Sequence, residues 1–328
     1  MFCDLDCTNF FVPMRLLTHI TVPEQRQFCG IAQKLGHPGA PSSSHRRLRC
    51  STQRIVASVP GMVASTAAVN PLQSLVGGTA IGLAVAVKLA TTGRVTGISG
   101  IYGGLLRGSL DSWRITFVGG LLAGGALLLN LLPSAFTAAF PATFTTTRAV
   151  AAGLLIGVGT SMGSGCTSGH GVCGLARLSL RSLAATLTFM ATGAVTATAF
   201  GTAAALGTAP PMWPSSLSSL VSVADPRALQ LAGAGGAAIV AIALLLGALR
   251  GLLPTAVRAG AAEFASGVVF ALGLGVGGML QPTKVAAFLS PLGALFDPSL
   301  AAVMCGALLI TTPAFQFFTR MKKVWCMG

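Results

Sequence analysis

Acidic side chains are scarce in this chain: 7 Asp and Glu stand against 21 Lys and Arg in 328 residues, and charges of both signs make up only 9% of the sequence. A soluble domain needs a charged surface. This scarcity, with 53% hydrophobic residues and 42 glycines, excludes that class and predicts a polytopic helical membrane protein. Basic clusters interleaved with aromatics are also missing, so the net charge of +14 predicts no nucleic-acid partner. The excess reads as juxtamembrane charge plus a basic N-terminal stretch. No zinc-type pair of CxxC motifs occurs among the eight cysteines, and the CxxxHxxC spacing of Cys166, His170 and Cys173 lacks an evident fourth ligand. There is neither a phosphate-binding P-loop nor a nucleophile-base-acid constellation for hydrolysis. The expectation is no cofactor, no metal and no enzymatic activity. The low number of buried acids leaves little sign of a carboxylate proton relay.

What the chain does have is a succession of apolar runs beginning near residue 70. Residues 1–70 stand apart, with Cys3, Cys7, Cys29, Cys50 and the Ser/Arg-rich run from Ser42 to Arg54, and read as a disordered or targeting extension. Residues 71–206 form a first transmembrane half, 207–228 a Pro-rich connecting loop, and 229–328 a second half. Runs at 72–90, 113–132, from about 148, 181–206, 229–253, 261–280 and 298–318 make about seven spans by the ~20-residue length rule. Three shorter elements are expected after Arg94, around Cys166 and after Lys284.

A pattern of span, basic turn, short glycine-bearing element, aspartate and span occurs from Gly78 to Gly125 and again from Gly267 to Leu309, with Arg94 matching Lys284 and Asp111 matching Asp297. Repeats of this kind in transporters place the substrate at their interface, among interrupted helices. Arg94 and Lys284 are expected as headgroup anchors, both aspartates as helix caps, and Cys305 as a packing residue. The predicted fold is all-α: a polytopic membrane protein with internal repeats and short interrupted helices meeting at a central path.

Between two spans lies GTSMGSGCTSGHGVCGLARLSLRSL, from Gly159 to Leu183. Such a segment cannot be helical throughout, and lipid offers its backbone no partners, so it must be buried in protein or line a watery path. Glycine-rich turns opening onto helices present N–H groups to anions. The candidate contacts are Gly165, Cys166, Thr167, Ser168, His170 and Cys173. For Cys166 the readings are a weak S–H donor to a sulfur-containing anion or a small packing residue; for Cys173, a second contact or packing. His170 either donates to the anion or holds the loop through a backbone carbonyl. Arg177 and Arg181 share a face if helical, and either draw anions to the mouth or snorkel at the interface.

The run GSGCTSGHGVCGLARLSLRS, followed by ATLTFMATG from Ala185 to Gly193, closely resembles the YeeE/YedE family of sulphur-transport membrane proteins. The stretch from Leu272 to Leu309 resembles the companion half, and with residues 72–125 the resemblance covers most of the chain after residue 70. It implies a multi-pass protein of the plasma or an organelle membrane, lipid around it, and a small sulfur-containing anion such as thiosulfate as substrate. In that family cysteines on the central path are held to relay the substrate, and Cys166 falls on the matching position. Relatives usually continue into another glycine-rich cysteine loop before a Pro-Gly-Pro, whereas this chain closes on TRMKKVWCMG. The departure leaves a shortened member, a chain needing a second copy or a partner subunit, or an incomplete gene model. Two functions follow: a passive or ion-coupled permease, or a membrane-embedded thiol carrier that forms a persulfide on Cys166.

Overall fold

Each apolar run becomes a helix, because a backbone surrounded by hydrocarbon must satisfy its hydrogen bonds within itself. The computed structural model describes residues 70–136, 145–206, 224–249 and 251–327, with side chains to residue 319. The expected N-terminal extension and most of the 207–228 connection lie outside these described residues. In chain order the elements are α1 (Pro71–Thr92), α2 (Ile98–Leu106), α3 (Ser112–Leu131), a 3-10 turn (Pro133–Phe136), α4 (Thr146–Met162), a π-helix (Ser168–Gly174), α5 (Leu180–Ala199), α6 (Thr202–Ala205), α7 (Pro226–Ala248), α8 (Thr255–Val276), α9 (Pro282–Phe288) and α10 (Ser299–Met327).

Among the described residues six helices are long and apolar enough to cross a membrane: α1, α3, α5, α7, α8 and the Ser299–Thr319 part of α10. The seventh expected span is α4, whose 17 residues reach about 26 Å at 1.5 Å per residue, short of a hydrocarbon core of about 30 Å. The fifth helix also ends earlier than the apolar run does, because Gly201 takes a left-handed conformation (φ 57°) and turns the chain into α6. Short elements are present after Arg94 as α2 and around Cys166 as the π-helix; the third, α9, begins at Pro282 and contains Lys284 instead of following it as expected.

Antiparallel contact between α1 and α8 forms the centre. Ser74 donates to the Gly277 carbonyl at one end (3.4 Å), and Lys88 meets Glu263 at the other (2.8 Å). Helix α10 packs along α1, α3 along α8, and α7 against both central helices. Glycine permits these close approaches. A Cβ on Gly78 would strike the Val303 carbonyl, and one on Gly306 the Leu75 carbonyl; a Cβ on Gly267 would strike Phe117, and one on Gly120 the Phe264 carbonyl. The α1–α10 and α3–α8 crossings are thus built alike, with Gly78 and Gly267 in corresponding places and Gly306 and Gly120 likewise.

Helix caps bear out one aspartate and correct the other. Asp297 Oδ1 accepts the Ser299 N–H (2.9 Å), as a cap should. Asp111 occupies the cap position of α3 but makes no side-chain cap bond, pairing with Arg114 at 2.9 Å. Neither basic repeat residue simply faces headgroups: Arg94 turns toward Glu263, and Lys284 lies half-buried over Gly278. Cys305 is exposed rather than packed; its neighbour Gly306 occupies the helix crossing.

Candidate functional site

Helix α4 ends at Met162, and Ser164 adopts a positive φ of 58° that swings the chain back toward the bundle. His170 then fixes the loop. Its Nε2 lies 3.1 Å from the Gly163 carbonyl, which can only accept, so Nε2 carries the proton and Nδ1 accepts from the Ser182 hydroxyl at 3.1 Å. The His170 ring packs so tightly over Gly165 that a Cβ there would collide with it. His170 is buried, with both ring nitrogens engaged in holding the turn, which is the second of its two sequence readings.

Beyond the turn the π-helix Ser168–Gly174 docks on α10, where Thr311 donates to the Val172 carbonyl (3.4 Å) and Gln316 to that of Ala176 (3.4 Å). A π-helix inside an otherwise α-helical protein commonly marks a functional segment. Its start meets the start of α2: the Ile98 N–H donates to Ser168 Oγ (3.2 Å), and Ser168 Oγ lies 3.0 Å from Cys166 Sγ. The two short helices therefore meet at Ser168, beside the Cys166 sulfur. Burial pushes the Cys166 thiol up, but hydrogen bonds from the Ser168 and Ser99 hydroxyls and from the Ser99 and Gly169 N–H groups outweigh it, and its pKa falls to about 7. Donors that stabilise a thiolate present the same favourable field to any small anion at that place.

Cys166, Thr167 and Ser168 line a cavity of about 280 Å³ walled by Ile81, Ile98, Phe270, Leu274, Met279 and Leu300, together with Val303, Met304 and Ala307 of α10. Ile81 is midway along α1, so the cavity opens beside the middle of a span. A larger apolar groove of about 940 Å³ lies between α4, α5 and α9, but the hydroxyls of Thr192, Thr196 and Thr202 in it are bonded to carbonyls of their own segment, leaving a surface suited to lipid.

The other expected contacts fall elsewhere. Cys173 is 1% exposed and donates to the Thr96 carbonyl (3.2 Å); burial pushes its thiol up to about 11, against the Thr96 bond and the charges of Lys88 and Arg177. Arg177 and Arg181 are both exposed but do not share a helix face, because Leu178 (φ 55°) and Ser179 break the chain between them. Gly165 and His170 shape the loop without lining the cavity.

Sequence reasoning missed the ionisable groups of the central helices. Lys88 and Glu263 are both 0% exposed and 2.8 Å apart. Lys88 Nζ lies 4.0 Å from the Phe117 ring centre and 5.4 Å from that of Trp113, while Arg94, 43% exposed, reaches Glu263 Oε1 at 3.7 Å and stacks on Trp113. Among the described residues the buried acids are few, Glu263 and Asp297, but Glu263 lies inside a span beside a lysine, an arrangement the sequence reading did not single out. The available signal was a lysine and a glutamate inside apolar runs, where ionisable residues are costly enough to suggest a role.

Comparison with known proteins agrees with this architecture. The family model described as sulphur transport matches residues 39–196, and that of a family of unknown function, DUF6691, matches residues 261–328. Two proteins each described as a probable transporter, from Xylella fastidiosa strains Temecula1 and 9a5c, are 44% and 43% identical to this chain over 126 residues, which is 38% of the chain and 90% of each relative. No solved structure matches. The chain is a multi-pass membrane protein and belongs to the sulphur transport family.

Proposed function

We propose that the protein is a permease for a small sulfur-containing anion, with thiosulfate as the leading candidate, and that the anion passes Cys166. The observation that carries this reading is the contact of Cys166 Sγ with Ser168 Oγ (3.0 Å), which also receives the Ile98 N–H at the start of α2 (3.2 Å), at the edge of a mid-span cavity. The donors offset part of the cost of bringing an anion out of water. The remaining walls are apolar, and the thioethers of Met279 and Met304 give a polarizable lining suited to a sulfane sulfur.

In this scheme Cys166, Thr167 and Ser168 touch the substrate, and Gly165 and His170 hold the loop that presents them. Cys173 stands behind, toward Lys88, and Arg177 and Arg181 raise the local anion concentration at the surface. The protein acts by lowering a barrier to passage, not by making or breaking bonds. Radiolabelled thiosulfate uptake into proteoliposomes tests it. An ordinary hydrogen bond contributes about 0.5–1.5 kcal/mol net, and S–H is no stronger a donor than that, so Cys166→Ala is expected to slow uptake by about two- to tenfold. Equal uptake by both proteins would remove Cys166 from the path.

The low thiol pKa of Cys166 favours a second reading, a sulfur carrier. There the thiolate attacks the sulfane sulfur of thiosulfate, the S–S bond breaks, sulfite leaves with the bonding pair, and Cys166 keeps a persulfide. Intact-mass analysis after thiosulfate exposure separates the two: a permease stays unmodified, and a carrier gains one sulfur on residue 166.

A further inference from the structure

The buried Lys88–Glu263 pair closes one end of the α1–α8 crossing and has no part in the anion site described above. Ser74 stands four residues before Gly78, and Glu263 four before Gly267; Lys88 stands ten after Gly78, and Gly277 ten after Gly267. The Ser74–Gly277 contact (3.4 Å) is therefore the counterpart of the Lys88–Glu263 contact (2.8 Å). At one end this fold closes the α1–α8 crossing with a neutral hydrogen bond, and at the other with two opposite charges wholly withdrawn from water. Desolvating such a pair costs several kcal/mol per ion before attraction is counted. Packing alone has a less costly solution in the same molecule.

The surroundings of the pair are asymmetric. Toward solvent stands Arg94, 43% exposed and 3.7 Å from Glu263. Toward the anion site stands Cys173, within electrostatic reach of both Lys88 and Cys166 and bonded to Thr96. From α3 the pair faces the Trp113 and Phe117 rings, with Arg114 stacked on Trp113 and held by Asp111. Helix α7 carries its one ionisable residue, Arg227, in its first turn, at the end remote from Glu263, and Arg258 is the other charge on α8.

The geometry points to Glu263 as a proton-binding site coupled to anion passage through Lys88. This rests on the permease reading. An anion leaving the Cys166 cavity along the loop reaches the Lys88 ammonium and competes with Glu263 for it. A buried carboxylate that loses its counter-ion is costly, so Glu263 takes the proton that enters with the anion. When the anion moves on past Arg94, Lys88 returns to Glu263 and the proton leaves on the same side. The balance is one proton on the Glu263 carboxylate for each anion held by Lys88, with no redox step, and the coupling is reciprocal.

Proteoliposomes loaded with a pH dye and clamped at zero membrane potential test this. Wild-type protein under a gradient of one pH unit is expected to accumulate labelled thiosulfate about tenfold, the ratio that one proton per anion sets, and added thiosulfate is expected to shift internal pH. In Glu263→Gln the ratio of gradient-driven to gradient-free uptake falls to about one, and Glu263→Asp restores part of it. Wild-type exchange of labelled thiosulfate that ignores the gradient and moves no protons would overturn the coupling and leave the permease standing; no exchange at all would overturn both. The wild-type measurement decides even where a variant fails to fold.

Discussion

Cys166 derives its properties from neighbours on two separate short helices, and this can be measured one atom at a time. With a thiol pKa of about 7, alkylation by iodoacetamide should reach half its maximal rate near pH 7, because only the thiolate reacts. Ser168→Ala removes a donor to that thiolate, so the pKa rises and alkylation at pH 7 slows; an unmoved profile would separate the hydroxyl from the sulfur. His170 acts on the fold instead. His170→Ala leaves the Gly163 carbonyl and Ser182 hydroxyl without their partner, costing about 1–3 kcal/mol, read as a lowered unfolding midpoint in detergent. Cysteine, histidine and serine were legible as candidates because a polar, glycine-rich run is conspicuous among spans. Ser99 was not, since its role depends on α2 folding back onto the π-helix. Lys88 and Glu263 were hidden differently: each is a single charge inside a long apolar run, and only the α1–α8 contact brings them together.

Helices were legible wherever an apolar run had a chemical stop. Proline opens α1, α7 and α9, and two interruptions fall where expected, after Arg94 and around Cys166, while the third comes ahead of Lys284 instead of after it. The end of α5 was not legible, because the run stays apolar through Leu206 while the backbone turns at Gly201. Nor did the sequence distinguish glycines that touch another helix from those that do not. At Gly78 and Gly267 a side chain would collide with the backbone of the facing helix, whereas at Gly153 and Gly157 of α4 nothing lies within 4 Å. Gly78→Leu and Gly267→Leu should each abolish the monodisperse peak in size-exclusion chromatography, and Gly153→Leu should keep it. Loss of the peak in the α4 variant alone would reverse the assignment of which helices form the core.

The chain as a whole is strongly cationic, at +14, and Arg177 and Arg181 stand exposed beside the loop. Surface charge accelerates encounter with anions in a salt-dependent way, since the screening length falls from about 10 Å at 0.1 M to about 3 Å at 1 M. The double change Arg177→Gln/Arg181→Gln should therefore lower initial thiosulfate uptake at low ionic strength, with the two proteins converging in high salt. A difference that persists in high salt would make the arginines direct ligands.

The central position of α1 also bears on biosynthesis. It is the first of the described spans to leave the ribosome, yet the helices that cover it, α7, α8 and α10, are among the last. Until α8 arrives, the Lys88 ammonium sits in a nascent chain without the carboxylate it meets in the finished protein. Assembly must wait for α8 and α10 to be made, and polypeptides stopped before residue 255 should be recognised as orphans by membrane proteases and cleared faster than the 328-residue chain in a pulse-chase experiment.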